Sequence, residues 1–184
     1  MRQLAGNRHV VQLYGLIGMN SDASEQLVNG KKLIMPGMVM EYLPGKSMNA
    51  YFDEFKSGGK TVDEVAQELT CMIEQTAIAV DAMIKQGFTH TDLNPGNIVR
   101  SGQQYISATT GVKCPLIKVI DFGYTEDVKA NHLEQVKAVS RFAYQMDKLI
   151  DEYTKQAPDN KDRLQPIIRP SLTTVNIFEK FFRT

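Results

Sequence analysis

His90-Thr91-Asp92-Leu93-Asn94-Pro95-Gly96-Asn97, followed further on by Asp121-Phe122-Gly123, decides how this chain is read. Asn94-Pro95-Gly96 is a strong turn signal, because proline presets φ while asparagine and glycine accept the remaining conformations of a tight turn. Asp92 and Asn97 bracket that turn, and Asp121 ends the apolar run Leu116-Ile117-Lys118-Val119-Ile120. Two carboxylates and an amide, each beside an apolar segment, are oxygen donors of the kind that a hard cation such as Mg²⁺ prefers. A plainer reading of the same residues is that Asp92 caps the turn while Asp121 terminates a strand.

Just upstream, Thr61-x-x-Glu64 is a capping-box pattern. Val65, Leu69, Met72, Ile73, Val80, Met83 and Ile84 then keep helical spacing up to a stop at Gly87. This helix delivers the chain at Phe88 into the Asp92 turn. Ile98-Val99-Arg100 and residues 116–120 read as two strands of a hairpin joined by a long polar loop, 101–115. Nearer the start, residues 9–18 are rich in Val, Leu, Ile and Tyr and predict a strand. Residues 38–43, Met-Val-Met-Glu-Tyr-Leu, predict a buried strand ending at Pro44-Gly45. The polar stretch 19–32, with Asn29-Gly30 as a turn signal, separates the two. Ser47 offers an N-cap for a short helix through Lys56. Downstream, Asn131-x-x-Glu134 predicts a second long helix with Leu133, Val136, Val139, Phe142, Ala143, Met146, Leu149 and Ile150 on its core face. Pro158, Pro166 and Pro170 break the remainder, and Phe178, Phe181 and Phe182 are expected to dock on the body.

Lys plus Arg equals Asp plus Glu at 21 each among 184 residues, so no bulk field argues for nucleic acid or an anionic membrane. Charged residues make up 23% and hydrophobic ones 42%, as in an ordinary globular domain. No run of about 18 apolar residues exists for a membrane span, and the first residues lack the apolar stretch of a signal peptide. Cys71 and Cys114 show neither metal-ligand nor disulfide-framework spacing and read as reduced structural thiols. A cytosolic working place is the expectation.

The order H-x-D-L-x-x-x-N then D-F-G resembles the protein-kinase superfamily, and the resemblance runs from about residue 9 to about 153. It implies an α+β, protein-kinase-like fold: a mostly helical large lobe (46–184), a small β-hairpin at the site, and a remnant of the small-lobe sheet with a helix tail, two strands and a hinge (1–45). By the same resemblance Asp92 orients and deprotonates an acceptor hydroxyl, while Asn97 and Asp121 hold Mg²⁺ against the phosphates of ATP. Met40 becomes the gatekeeper, the backbones of Glu41 and Leu43 meet the adenine edge, Ser47 falls at a ribose contact, and Val99 forms the pocket floor. His90 takes a structural place beside Phe122. Asn94 stands where Ser/Thr kinases usually carry a lysine near the transferred phosphate. His9 and His132 have no paired ligand or base and read as surface or core residues.

The departures from the family pattern are equally concrete. The glycine-rich loop, the third-strand lysine and the helix glutamate that kinases place before this first strand do not occur in residues 1–8. Thr91 replaces the catalytic-loop arginine, and nothing after Gly123 resembles the A-P-E motif. The short segment after D-F-G is similar to compact bacterial effector kinases, for which host cytosol is the implied location. A protein Ser/Thr kinase is therefore the leading expectation, weak alone unless a partner or upstream segment supplies the small lobe. A kinase-like binding module, or a kinase for a small aminoglycoside- or choline-like alcohol, are the alternatives. A protein substrate and no nucleic acid are expected.

Overall fold

The computed structural model describes residues 4–17, 25–28, 31–34, 37–56, 59–108, 110–127, 132–156 and 164. Strands β1 (Leu13–Ile17) and β4 (Gly37–Met40) pair antiparallel, as do β2 (Glu25–Val28) and β3 (Lys31–Ile34). Helices α1 (Met48–Lys56) and α2 (Val62–Lys85) follow, then β5 (Phe88–His90), a 3-10 turn (Pro95–Asn97), and the hairpin β6 (Ile98–Ile106) with β7 (Lys113–Val119). A second 3-10 turn (Phe122–Tyr124), β8 (Thr125–Asp127), which pairs with β5, and α3 (His132–Gln156) complete the order. The mixture of helices and small sheets is the α+β architecture that the sequence implies.

Helix α2 begins as its capping box dictates. The Thr61 hydroxyl accepts from the Glu64 N–H at 3.3 Å, and the Glu64 carboxylate accepts from the Thr61 N–H at 2.7 Å. It stops at Gly87, which adopts φ 81° and donates its N–H to the Ile84 carbonyl at 2.9 Å. A side chain there would be strained, so glycine sets the exit angle toward β5. Leu69, Met72, Ile73 and Met83 of the apolar stripe of α2 share one core with Tyr51 and Phe52 of α1, Ile117 and Val119 of β7, and Phe142, Met146 and Ile150 of α3. Burying each such side chain contributes about 1.5–3 kcal/mol. The core therefore lies directly beneath the loops that carry the polar motifs.

Four expectations are corrected. The strand at 38–43 is shorter and is not buried: Met38, Val39 and Met40 are 61%, 42% and 43% exposed, so the described residues leave both faces of this strand partly open. The polar loop 101–115 is mostly strand, since β6 and β7 run on to a short turn after Ile106. The polar stretch 19–32 holds β2 and the start of β3, with Val28 opposite Lys31. Cys71 and Cys114 are not separate thiols but are joined as a disulfide, their Cα atoms 6.7 Å apart. Their 43-residue separation hides a contact that only the packing of α2 on β7 creates. The Phe178, Phe181 and Phe182 expectation, the N-cap at Asn131, and the side chains of His132, Leu133, Val136 and Val139 lie outside what the structure describes.

Gln75, fully buried on α2, stitches that helix to β7. Its Nε2 donates to the Pro115 carbonyl at 2.9 Å and its Oε1 accepts from the Ile117 N–H at 3.0 Å. One side chain thereby satisfies the two strand groups that face the helix. Gln75→Leu would keep the volume and strand both groups, each at about 1–3 kcal/mol. The expected result is an unfolding free energy lowered by a total of about 2–6 kcal/mol, read as a lower denaturation midpoint at an unchanged denaturant slope.

Candidate active site

Helix α2 and β5 aim the chain into the loop that starts at Thr91. Within it, the Asn97 amide nitrogen donates to the Asp92 carbonyl at 2.9 Å and to the Asp92 carboxylate Oδ2 at 3.3 Å. Asn94 spans the turn from inside: its Nδ2 donates to the Asp92 carbonyl at 3.0 Å, and its Oδ1 accepts from the Gly96 N–H at 2.8 Å. Both ends of the Asn94 amide are thus committed to loop backbone.

The second motif is tied to the first by backbone. The Ile120 N–H donates to the Asn97 carbonyl at 2.9 Å, and His90 Nε2 lies 2.9 Å from the Ile120 carbonyl. The His90 ring also sits 5.1 Å from that of Phe122, the structural place that the sequence resemblance implies. Asp121 follows at once with φ 59°, a left-handed conformation that aspartate tolerates better than most residues. Its Oδ1 approaches the Gly123 N–H at 3.4 Å, and a Cβ on Gly123 would meet that oxygen at 3.3 Å, so glycine keeps this tight turn open. Asp92 and Asn97 are partly buried, and Asp121 is exposed. Asp92 and Asn97 touch, and Asp121 follows Ile120, whose N–H bonds the Asn97 carbonyl.

Beside these groups lies a cavity of about 440 Å³, of the size that small-molecule sites occupy, lined by Val11, Met40, Leu43, Val99, Ile120 and Phe122 among others. Met38, Glu41, Tyr42, Asp121 and Gly123 complete its wall. Of the sequence-predicted binding residues, Met40, Glu41, Leu43 and Val99 line it. Ser47 does not: it pairs with Val99 in an isolated bridge, and its hydroxyl accepts from the Ala50 N–H at 3.5 Å as the N-cap of α1. The Glu41 N–H is taken by the Gln12 carbonyl at 2.9 Å, while Leu43 makes no hydrogen bond with the described residues. Val11, Ile120 and Phe122 escaped the sequence reading. Each belongs to an apolar run or motif already noticed, but only folding shows which side chains face the cavity.

The segment after Leu43 is held against the hairpin by glycine. A Cβ on Gly45 would lie 2.4 Å from the backbone oxygen of Arg100, so no larger residue fits where Gly45 N–H donates to that same oxygen. Behind it, Lys118 of β7, 6% exposed, donates to the Glu41 carboxylate at 2.6 Å, and the Gln12 N–H donates to the same Glu41 oxygen at 3.2 Å. His9 belongs to this layer as a core residue, its ring edge-on to Tyr105 at 5.5 Å. Burial chiefly, with the Arg8 and Lys118 charges adding, lowers its pKa from 6.5 to about 4. Above pH 6.5 folded and unfolded chains both hold His9 neutral, and its full contribution to stability is present. Between pH 6.5 and about 4 the unfolded chain takes up a proton that the folded chain refuses. Stability is therefore expected to fall across that window, by at most about 3 kcal/mol, and His9→Gln should flatten the profile in denaturation measured against pH.

A model of the protein kinase domain matches residues 1–157, and the chain belongs to that family. The matched stretch contains residues 38–43, the Asp92 loop and the Asp121 turn. Among solved structures, the chain is similar to the crystal structure of Rad53 kinase domain and SCD2, at 21% identity and a TM-score of 0.41, over 68% of this chain and 35% of that one. It therefore spans about a third of that chain's length. No curated protein matches the chain significantly.

Proposed function

We propose that this lobe transfers the γ-phosphoryl group of ATP to a serine or threonine hydroxyl of a protein substrate. The observation that carries the reading is the direct bond between Asn97 and the Asp92 carboxylate, with Asp121 anchored through Ile120 to the same asparagine. Asp92 accepts the proton of the attacking hydroxyl. The donor set fits a magnesium ion: with its nitrogen committed to Asp92, Asn97 presents Oδ1, which accepts no bond from a described residue, and Asp121 adds an exposed carboxylate. When bound there, the ion supplies charge neutralisation for the phosphates. Met40, Val11 and Val99 enclose an adenine ring, and the Leu43 backbone and the Glu41 carbonyl meet its edge. Asn94 serves by holding the loop backbone, its amide bonded to the Asp92 carbonyl and the Gly96 N–H, not by touching phosphate.

Among the described residues no helix is long and apolar enough to cross a membrane. The β1 and β4 strands expose Tyr14, Leu16, Met38 and Met40 beside the cavity, an apolar surface that supports a covering segment or partner supplying the rest of the small lobe. The test is labelling of a mixed protein lysate by the full-length protein with radioactive ATP. Asp92→Ala should lower the rate by about 10²–10⁴-fold, the scale of positioned proton transfer. Labelling equal to that of the unaltered protein would end the assignment.

A further inference from the structure

The two peptide planes that flank the Asp92 Cα are held from opposite directions. The plane after it is fixed from within the loop, where Asn94 and Asn97 both donate to the Asp92 carbonyl. The plane before it is held from elsewhere in the fold: Arg141 Nη1 of α3, 50 residues on, donates to the Thr91 carbonyl at 2.9 Å. A peptide unit is planar, so pinning the Thr91 oxygen also sets the Asp92 N–H and the bond into its Cα. With both planes held, φ and ψ of Asp92 are fixed, and with them the direction in which its carboxylate leaves the loop.

Arg141 is well placed to impose this. Its neighbours Phe142 and Met146 are 3% and 0% exposed in the core, so this part of α3 is anchored even though Arg141 itself is exposed. A guanidinium also bonds a carbonyl more strongly than a neutral donor does. We propose that Arg141 is a positioning residue for phosphoryl transfer, a strut from the helix after Asp121-Phe122-Gly123 that orients Asp92 without touching the substrate. This rests on the function proposed above. It also assigns the helix a part in catalysis: α3 braces the loop at its first residue, Thr91.

Hydrogen exchange of the full-length protein, read without substrate over the peptide covering residues 89–98, tests the strut separately from the chemistry. Arg141→Ala should exchange about tenfold faster there, the scale of one charge-assisted hydrogen bond, with α2 and the β6–β7 hairpin unchanged. Arg141→Lys, which retains one cationic donor, should restore most of the protection. In phosphoryl transfer, Arg141→Ala should lower kcat about tenfold and leave the KM for ATP unaltered, because the nucleotide cavity does not include Thr91. Unchanged exchange in Arg141→Ala, or faster exchange spread evenly over the whole chain, would overturn the proposal. Absence of phosphoryl transfer by the unaltered protein would instead defeat the functional reading, with the exchange result still deciding the role of Arg141.

Discussion

Lys118→Ala is expected to destabilise the protein by about 3–5 kcal/mol, the range for breaking a buried ion pair from one side. The ammonium is 6% exposed and the Glu41 side chain 17%, so removing the lysine leaves a carboxylate with little water to replace a 2.6 Å partner. The Gln12 N–H remains beside that carboxylate, but one neutral donor does not offset a lost cation. The loss should be largely reversed in the double variant Lys118→Met with Glu41→Gln, where no charge is buried and the new amide oxygen still accepts from Gln12. Thermal and denaturant unfolding of the three proteins measures this. A single variant within about 0.5 kcal/mol of the parent would mean that water reaches Glu41 freely and the pair contributes little, as at an exposed site. Because Glu41 lines the cavity, the single variant should also loosen nucleotide binding, which a fluorescent nucleotide titration reads.

Asp121→Gly is expected to move stability and activity in opposite directions. At φ 59° aspartate carries conformational strain that glycine does not. Glycine gives back part of that gain through the greater freedom of its unfolded chain, which leaves a net stabilisation of up to about 1 kcal/mol. Phosphoryl transfer should fall at least about a thousandfold, since a lost metal ligand removes several kcal/mol of charge stabilisation. Asp121→Asn separates the two effects, because asparagine accepts the same conformation but carries no charge: turnover should fall while the melting temperature stays near the parent value. If the glycine variant were markedly less stable than the asparagine one, the left-handed conformation would be a well-supported part of the fold and not a site of strain kept for function.

The residues that sequence reading singled out share one property: their meaning is local. Asp92, Asn94 and Asn97 lie within one turn, and the Thr61 to Glu64 box and Gly87 bound a single helix, so short-range backbone sterics and spacing suffice to find them. The stripe of α2 was legible for the same reason, as was the meeting of His90 with Phe122 once the motif order was recognised. The exposed β4 misled because an apolar strand reads alike whether or not a neighbour covers it. The β6–β7 hairpin ran longer than expected because polar residues such as Gln103 and Gln104 occupy exposed strand positions, where a period-2 apolar signal is weak.

What tertiary structure decided is every contact between residues distant in sequence. Lys118 meets Glu41 across 77 positions, Gln75 meets Ile117 across 42, Cys71 meets Cys114 across 43 and Arg141 meets Thr91 across 50. None of these pairs has a spacing rule, since the chain between them follows turns and helices whose summed geometry no local pattern encodes. By itself the sequence determined the tight turn of the loop and the helix that leads into it, because hydrogen-bonding groups and backbone preferences act over a few residues. Which charges are buried together, and which helix reaches the Thr91 carbonyl, follow only once one shared core has packed α1, α2, α3 and the hairpin around it.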